Sequence, residues 1–151
     1  MTKNLMSDAS KKQLEKRQKG DWEKWSEYWQ LLTECARPSH EDLQSFGESM
    51  FESLKSKQSP TIVILGSTPE LRDLAALYSL SNNAKIICVE LVEAMYPAMQ
   101  QLMTLTNKNE QLLVANWISM PLHDETADMI IGDLTEGQVS QDLKEQYFAE
   151  I

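Results

Sequence analysis

Apolar and polar positions follow two rhythms along this chain, and the change between them falls just before Thr61. Upstream, apolar residues recur every three or four positions. In GDWEKWSEYWQLL, Trp22, Trp25, Trp29 and Leu32 fall on one helix face, with Tyr28 at the edge of the stripe. The helical pattern begins near Ser10, after several residues expected to be disordered. An aromatic stripe of this kind ordinarily docks a helix onto a core; its functional alternative is a lid that closes over a ligand. Arg37-Pro38 ends the helix, because proline cannot continue the hydrogen-bond ladder and restricts the residue before it. Ser39 then resembles an N-cap, with Asp42 three residues on as an imperfect capping box. The next helix is expected to reach Leu54 and to bury Leu43, Phe46, Met50 and Leu54.

Downstream the rhythm shortens. TIVILG is a β-branched run ending in glycine, the pattern of a buried strand. Pro69 to Leu80 reads as a helix with Leu71, Leu74, Ala75 and Leu77 inward and proline in its favoured first turn. SNNA is a turn, KIICVE a second strand, and VEAMYPAMQQLMTL a second helix disturbed at Pro97. QLLVAN and ADMIIGD supply a third and a fourth strand, separated by the loop SMPLHDET, and the tail beyond Ser140 is helical. Short apolar strands alternating with helices predict an α/β fold: a Rossmann-like parallel sheet of about four strands preceded by N-terminal helices. The expected organisation is a basic arm over residues 1–20, a helical cap over 21–58 and the sheet domain over 59–151.

Composition narrows the function classes. The chain has 151 residues, 42% hydrophobic and 25% charged, enough for one modest core. No apolar run is long enough to span a bilayer and the N-terminus lacks a signal-peptide pattern, so a cytoplasmic protein without membrane association is expected. The net charge of −9 disfavours nucleic acid as a partner, although Lys11, Lys12, Lys16, Arg17 and Lys19 make the first residues locally basic. Two cysteines, Cys35 and Cys88, form no disulfide framework or zinc signature, and Cys88 lies in an apolar run suited to a buried thiol. His40 and His123 stand alone in polar segments, so no metal site is expected.

In a doubly wound sheet, ligands bind at the carboxyl ends of the strands. Four strand ends carry chemistry here: Gly66-Ser67-Thr68, Glu90, Asn116-Trp117 and Asp133. Glycine lets the main chain approach a ligand closely. Glu90 follows Gly66 at close to the roughly 20-residue spacing at which a carboxylate meets ribose hydroxyls in nucleotide-binding units. Asn116 offers a carbonyl and an amide to the edge of an adenine, and Trp117 a flat apolar face. Singly, each is an ordinary turn, solvated strand end or core residue; their order along one stretch is what suggests a nucleotide-type site.

The blocks ILGSTPELRDLA, IICVELVEAM and VANWISMPLHDETADMIIGDLT resemble motifs I to IV of class I S-adenosylmethionine-dependent methyltransferases. They are closest to a subgroup with a G-x-T-P-E-L-R first motif and a D-W or N-W third motif, and RPSHEDLQSFGESMF resembles the helix before the sheet in that subgroup. The resemblance covers roughly residues 22–139. It implies S-adenosylmethionine as cofactor, with Gly66, Ser67, Thr68 and Pro69 passing its methionine moiety, Glu90 holding the ribose and Leu91 against the adenine. Asn116 and Trp117 would read and flank the adenine, and Asp133 would stand beside the methyl donor as the candidate base. Glu70 and Arg72 match the subgroup pattern without an assigned contact and are read as a surface pair.

Three departures qualify the resemblance. The first motif keeps one glycine, Gly66, which also separates it from the G-x-G-x-x-G loop of nicotinamide-dependent enzymes. Asn116 stands where aspartate is commoner. The chain also ends soon after its fourth strand, whereas a complete class I sheet continues; the expectation is a cofactor-binding half that either is a piece of a longer chain or has its exposed edge covered by self-association or by a partner chain. The function expected is methyl transfer to a small-molecule acceptor. The alternatives are a non-catalytic association module and a different nucleotide-binding α/β protein. His123, in the loop before the fourth strand, is a lesser candidate base.

Overall fold

Strands form where β-branched runs can be buried on both faces. The computed structural model describes residues 28–33 and 36–151, together with Lys16 and Gly20. Trp22, Trp25, Cys35 and most of the basic arm lie outside the described residues. Four strands, β1 (Thr61–Leu65), β2 (Lys85–Glu90), β3 (Glu110–Val114) and β4 (Met129–Gly132), form one parallel sheet in the order β3-β2-β1-β4. The α/β, Rossmann-like expectation holds. The order reverses at β1, whose neighbours are β2 and β4, so the binding crevice is expected beside the end of β1.

Alternation along β1 sends Ile62 and Ile64 to one face and Val63 and Leu65 to the other, all four buried. On the first face they meet α1 (His40–Leu54) and α2 (Pro69–Asn82) through Met50, Leu54, Leu71 and Ala75. On the second they meet Ile118, Met120 and Tyr147, the last from the C-terminal helix. Each fully buried aliphatic side chain contributes about 1.5–3 kcal/mol relative to exposure. Both faces of the sheet are therefore covered, as an all-parallel sheet requires.

Helix α1 starts on a complete capping box. Asp42 N–H donates to Ser39 Oγ at 3.1 Å and Ser39 N–H donates to Asp42 Oδ2 at 2.9 Å. The preceding aromatic segment differs from expectation: Trp29–Leu31 is a single 3₁₀ turn, and Leu32 is already extended, well before Arg37-Pro38. Helix α2 has Pro69 at its first position and ends at Asn83, whose left-handed backbone (φ 49°) lets its N–H reach Ser79 O.

Two expectations for α2 fail. Leu77 is 56% exposed, because the buried stripe runs through Leu71, Arg72, Ala75, Ala76 and Ser79 instead. Arg72, read as a surface residue, is only 1% exposed: it donates from Nε to Glu110 Oε1 at 2.8 Å and its guanidinium lies 4.0 Å over the Tyr96 ring. The helix expected over VEAMYPAMQQLMTL shrinks to α3 (Met95–Gln100), so Pro97 falls in its first turn, where no intrahelical N–H is needed. After β4 come α4 (Thr135–Gln138), a 3₁₀ turn at Gln141–Leu143 and α5 (Lys144–Glu150). Among the described residues the outer edge of β4 pairs with no strand, and no helix is long and apolar enough to cross a membrane.

Candidate functional site

Register alone assembles the rim. Leu65 pairs with Val89 of β2 and Gly132 of β4, so the next residues, Gly66, Glu90 and Asp133, leave the sheet side by side. Glu90 pairs in turn with Val114, two residues before Asn116. These strand ends line one cleft of about 350 Å³. Its walls include Gly66, Ser67, Thr68, Glu90, Leu91, Asn116, Trp117 and Asp133, all of them expected from the sequence. Pro69 is buried at the start of α2 and does not line the cleft.

Gly66 adopts φ +88°, a conformation L side chains rarely take, and its N–H donates to Val89 O at 2.8 Å. The Trp117 indole packs against this turn: a Cβ at Gly66 would sit 3.5 Å from Trp117 Cζ2, an ordinary contact, so it is the backbone angle that calls for glycine. The indole is fixed by its own N–H, which donates to Val89 O at 2.9 Å. Glycine turn and tryptophan thus share one anchor, the carbonyl of Val89.

Glu90 is 8% exposed and tied at both oxygens: Val92 N–H donates to Oε1 at 2.9 Å and Ser67 Oγ donates to Oε2 at 2.8 Å. Burial pushes its carboxyl above the usual glutamate range, with these hydrogen bonds opposing the shift. The backbone N–H groups of Leu91 and Ser67 add to these donors, so the carboxylate is held in one orientation at the cleft wall. Asn116 Oδ1 accepts from Ile118 N–H at 3.2 Å, closing a turn; an adenine amino group would share that oxygen.

Asp133 is half-buried at the β4 end. Its carboxyl is held above the usual aspartate range, first by burial and then by the negative charges of Asp42 and Glu70. Beyond it, Leu134 turns through a left-handed backbone (φ 53°), and buried Thr135 shares a hydrogen bond of 2.8 Å with Tyr147 Oη. His123 is exposed in its loop and does not line the cleft. Cys88 is buried, donates to Gly66 O at 3.2 Å, and has its thiol pushed up to about 12, chiefly by burial. Among the described residues no group of three or more His, Cys, Asp or Glu side chains is placed to hold a metal ion.

Several wall residues carry no local signal in the sequence. Met95 and Met99 of α3 pack with Trp29 and form one apolar wall; Leu134, Val139 and Leu143 line the cleft from the C-terminal segment. Only the Trp29 stripe could have been picked out, as the lid alternative. No family model, curated protein or solved structure matches the chain, so the cleft's own residues carry the functional reading.

Proposed function

We propose that this chain binds S-adenosylmethionine in the cleft and transfers its methyl group to a small-molecule acceptor. The observation that carries the reading is the convergence of Gly66, Glu90, Asn116, Trp117 and Asp133 from four strand ends on one cleft. A volume near 350 Å³ lies at the lower end of the range for small-molecule and cofactor sites. Glu90 suits a ribose, because it is already oriented and an ionised carboxylate is an acceptor for hydroxyl hydrogens. Ser67 and Thr68 are buried where a dinucleotide-binding loop would use glycines to approach a diphosphate, which disfavours nicotinamide cofactors.

Bound S-adenosylmethionine supplies a methyl group already activated on a sulfonium sulfur. The chain's own residues then orient and exclude water. Met95, Met99, Leu65 and Ile118 supply apolar walls, and Trp117 braces the turn at Gly66. Asp133, with its raised pKa, takes the acceptor's proton where the acceptor loses one. Calorimetric titration separates the readings: saturable binding of S-adenosylmethionine that is lost in Glu90→Ala supports this one. Tighter binding of NAD or ATP would replace it with another nucleotide-binding function, and no binding of any of them would favour an association module.

A further inference from the structure

Met95 and Met99 form one wall of the cleft, yet the helix that carries them cannot hold itself in place. Helix α3 is six residues long and includes Pro97, which has no N–H to give. A helix this short is not stable from its own hydrogen bonds, so tertiary contacts decide where it sits. Met95 and Met99 pack with Val92, Trp29 and Leu102. The first turn is held by a different contact, the buried Arg72 of α2. Its Nη1 donates to Tyr96 O at 3.2 Å, and its Cζ lies 4.0 Å from the centre of the Tyr96 ring.

Arg72 divides its donors between two elements. Nε donates to Glu110 Oε1 at 2.8 Å and Nη2 pairs with the same oxygen at 2.6 Å, which leaves Nη1 for Tyr96 O. Its main chain is tied to another side of the cleft: Arg72 N–H donates to Thr68 O at 3.1 Å, and Thr68 is a lining residue. One residue therefore spans from the turn after β1 to the helix after β2. A buried ion pair adds little stability over apolar side chains of similar volume, whereas a rigid guanidinium fork fixes direction. Resting on the cofactor reading above, we propose that Arg72 is a positioning residue for that site. With Glu110 fixing the guanidinium, it sets the place of the Met95–Met99 wall relative to the Ser67-Thr68 turn. Arg72 does not itself line the cleft; it acts through the two methionines.

The test uses two variants. The double variant Arg72→Met/Glu110→Leu leaves neither charge unpaired, and Arg72→Lys keeps a charge opposite Glu110 but replaces the planar fork by one ammonium. Amide hydrogen exchange and calorimetric Kd values for S-adenosylhomocysteine are measured beside wild type, with urea midpoints reporting global stability. The variant whose midpoint lies closer to wild type decides. In it, the amides of Met99, Gln100 and Leu102 are expected to exchange about tenfold or more faster, the size of a lost charge-assisted hydrogen bond, while Ile64 and Val89 in the sheet are unchanged. S-adenosylhomocysteine is expected to bind about tenfold more weakly. Unchanged exchange at α3, an equal rise in the sheet, or an unchanged Kd overturns the positioning role while the cofactor reading stands. If wild type binds no S-adenosylhomocysteine, the cofactor reading falls, and selective exchange at α3 alone decides whether Arg72 positions this wall.

Discussion

Ser67 donates its hydroxyl to Glu90 Oε2 at 2.8 Å, tying the turn after β1 to the last residue of β2 at a site nearly closed to water. The bond orients Glu90, but it does not cancel the cost of burying a carboxylate. Because the folded-state pKa is raised, the folded chain binds more protons than the unfolded chain above the ordinary glutamate value. Stability therefore falls as pH rises through that window. Glu90→Gln is expected to be more stable than wild type at neutral pH, with the gap closing below about pH 4, where both states are protonated. Urea midpoints at the two pH values check this; a less stable Glu90→Gln at neutral pH would contradict it.

Much of this arrangement was legible because buried parallel strands leave an unambiguous mark. TIVIL, KIICVE and MIIG are apolar runs bounded by turns, and their ends supplied the Gly66, Glu90 and Asp133 positions directly. The Ser39–Asp42 box was equally readable, since both partners lie within one turn of chain. What failed was tertiary. Arg72 is polar by composition, yet it is buried because Glu110, 38 positions away in sequence, supplies its counter-charge. Leu77 is apolar yet exposed, because the α2 stripe rotates toward Arg72 and Ala76. Thr135 and Met99 reach the cleft only through the packing of other elements, so no local pattern announces them.

The Arg72–Glu110 pair is almost fully withdrawn from solvent, with side chains 1% and 3% exposed. Removing one partner strands the other charge in the interior. Arg72→Met is expected to lower unfolding free energy by about 3–5 kcal/mol in chemical denaturation. Adding Glu110→Leu to that variant is expected to recover most of the loss, because no unpaired charge then remains. A double variant no more stable than Arg72→Met would contradict this account.

Gly132 closes β4 against the turn that carries Asp133. A Cβ at this position would lie 2.8 Å from Thr135 Cγ2 and 3.2 Å from Leu65 Cβ. Gly132→Ala must displace Thr135, whose hydroxyl shares a bond with Tyr147. The expected cost is about 1–3 kcal/mol, measured as a lower Tm or urea midpoint. Gly137→Ala is the control, since nothing lies within 4 Å of its Cβ position.

Once an acceptor is identified, the pH dependence of methyl transfer tests Asp133. As a base it acts when ionised, so rate rises with pH through its pKa, which burial and the charges of Asp42 and Glu70 hold above the usual aspartate range. Asp133→Asn is expected to abolish this limb while leaving cofactor affinity within a few-fold. Asp42→Asn is expected to shift the limb to lower pH, because it removes one of the charges that raise the Asp133 pKa. An unshifted limb in Asp42→Asn would contradict that coupling.

The most direct measurement is a crystal structure of the chain with S-adenosylhomocysteine bound. The account predicts the ribose hydroxyls at the Glu90 carboxylate, the adenine edge at Asn116 and the sulfur on the Asp133 side of the Gly66 turn. A ligand seated elsewhere, or in the cleft with Glu90 meeting no hydroxyl, would contradict it.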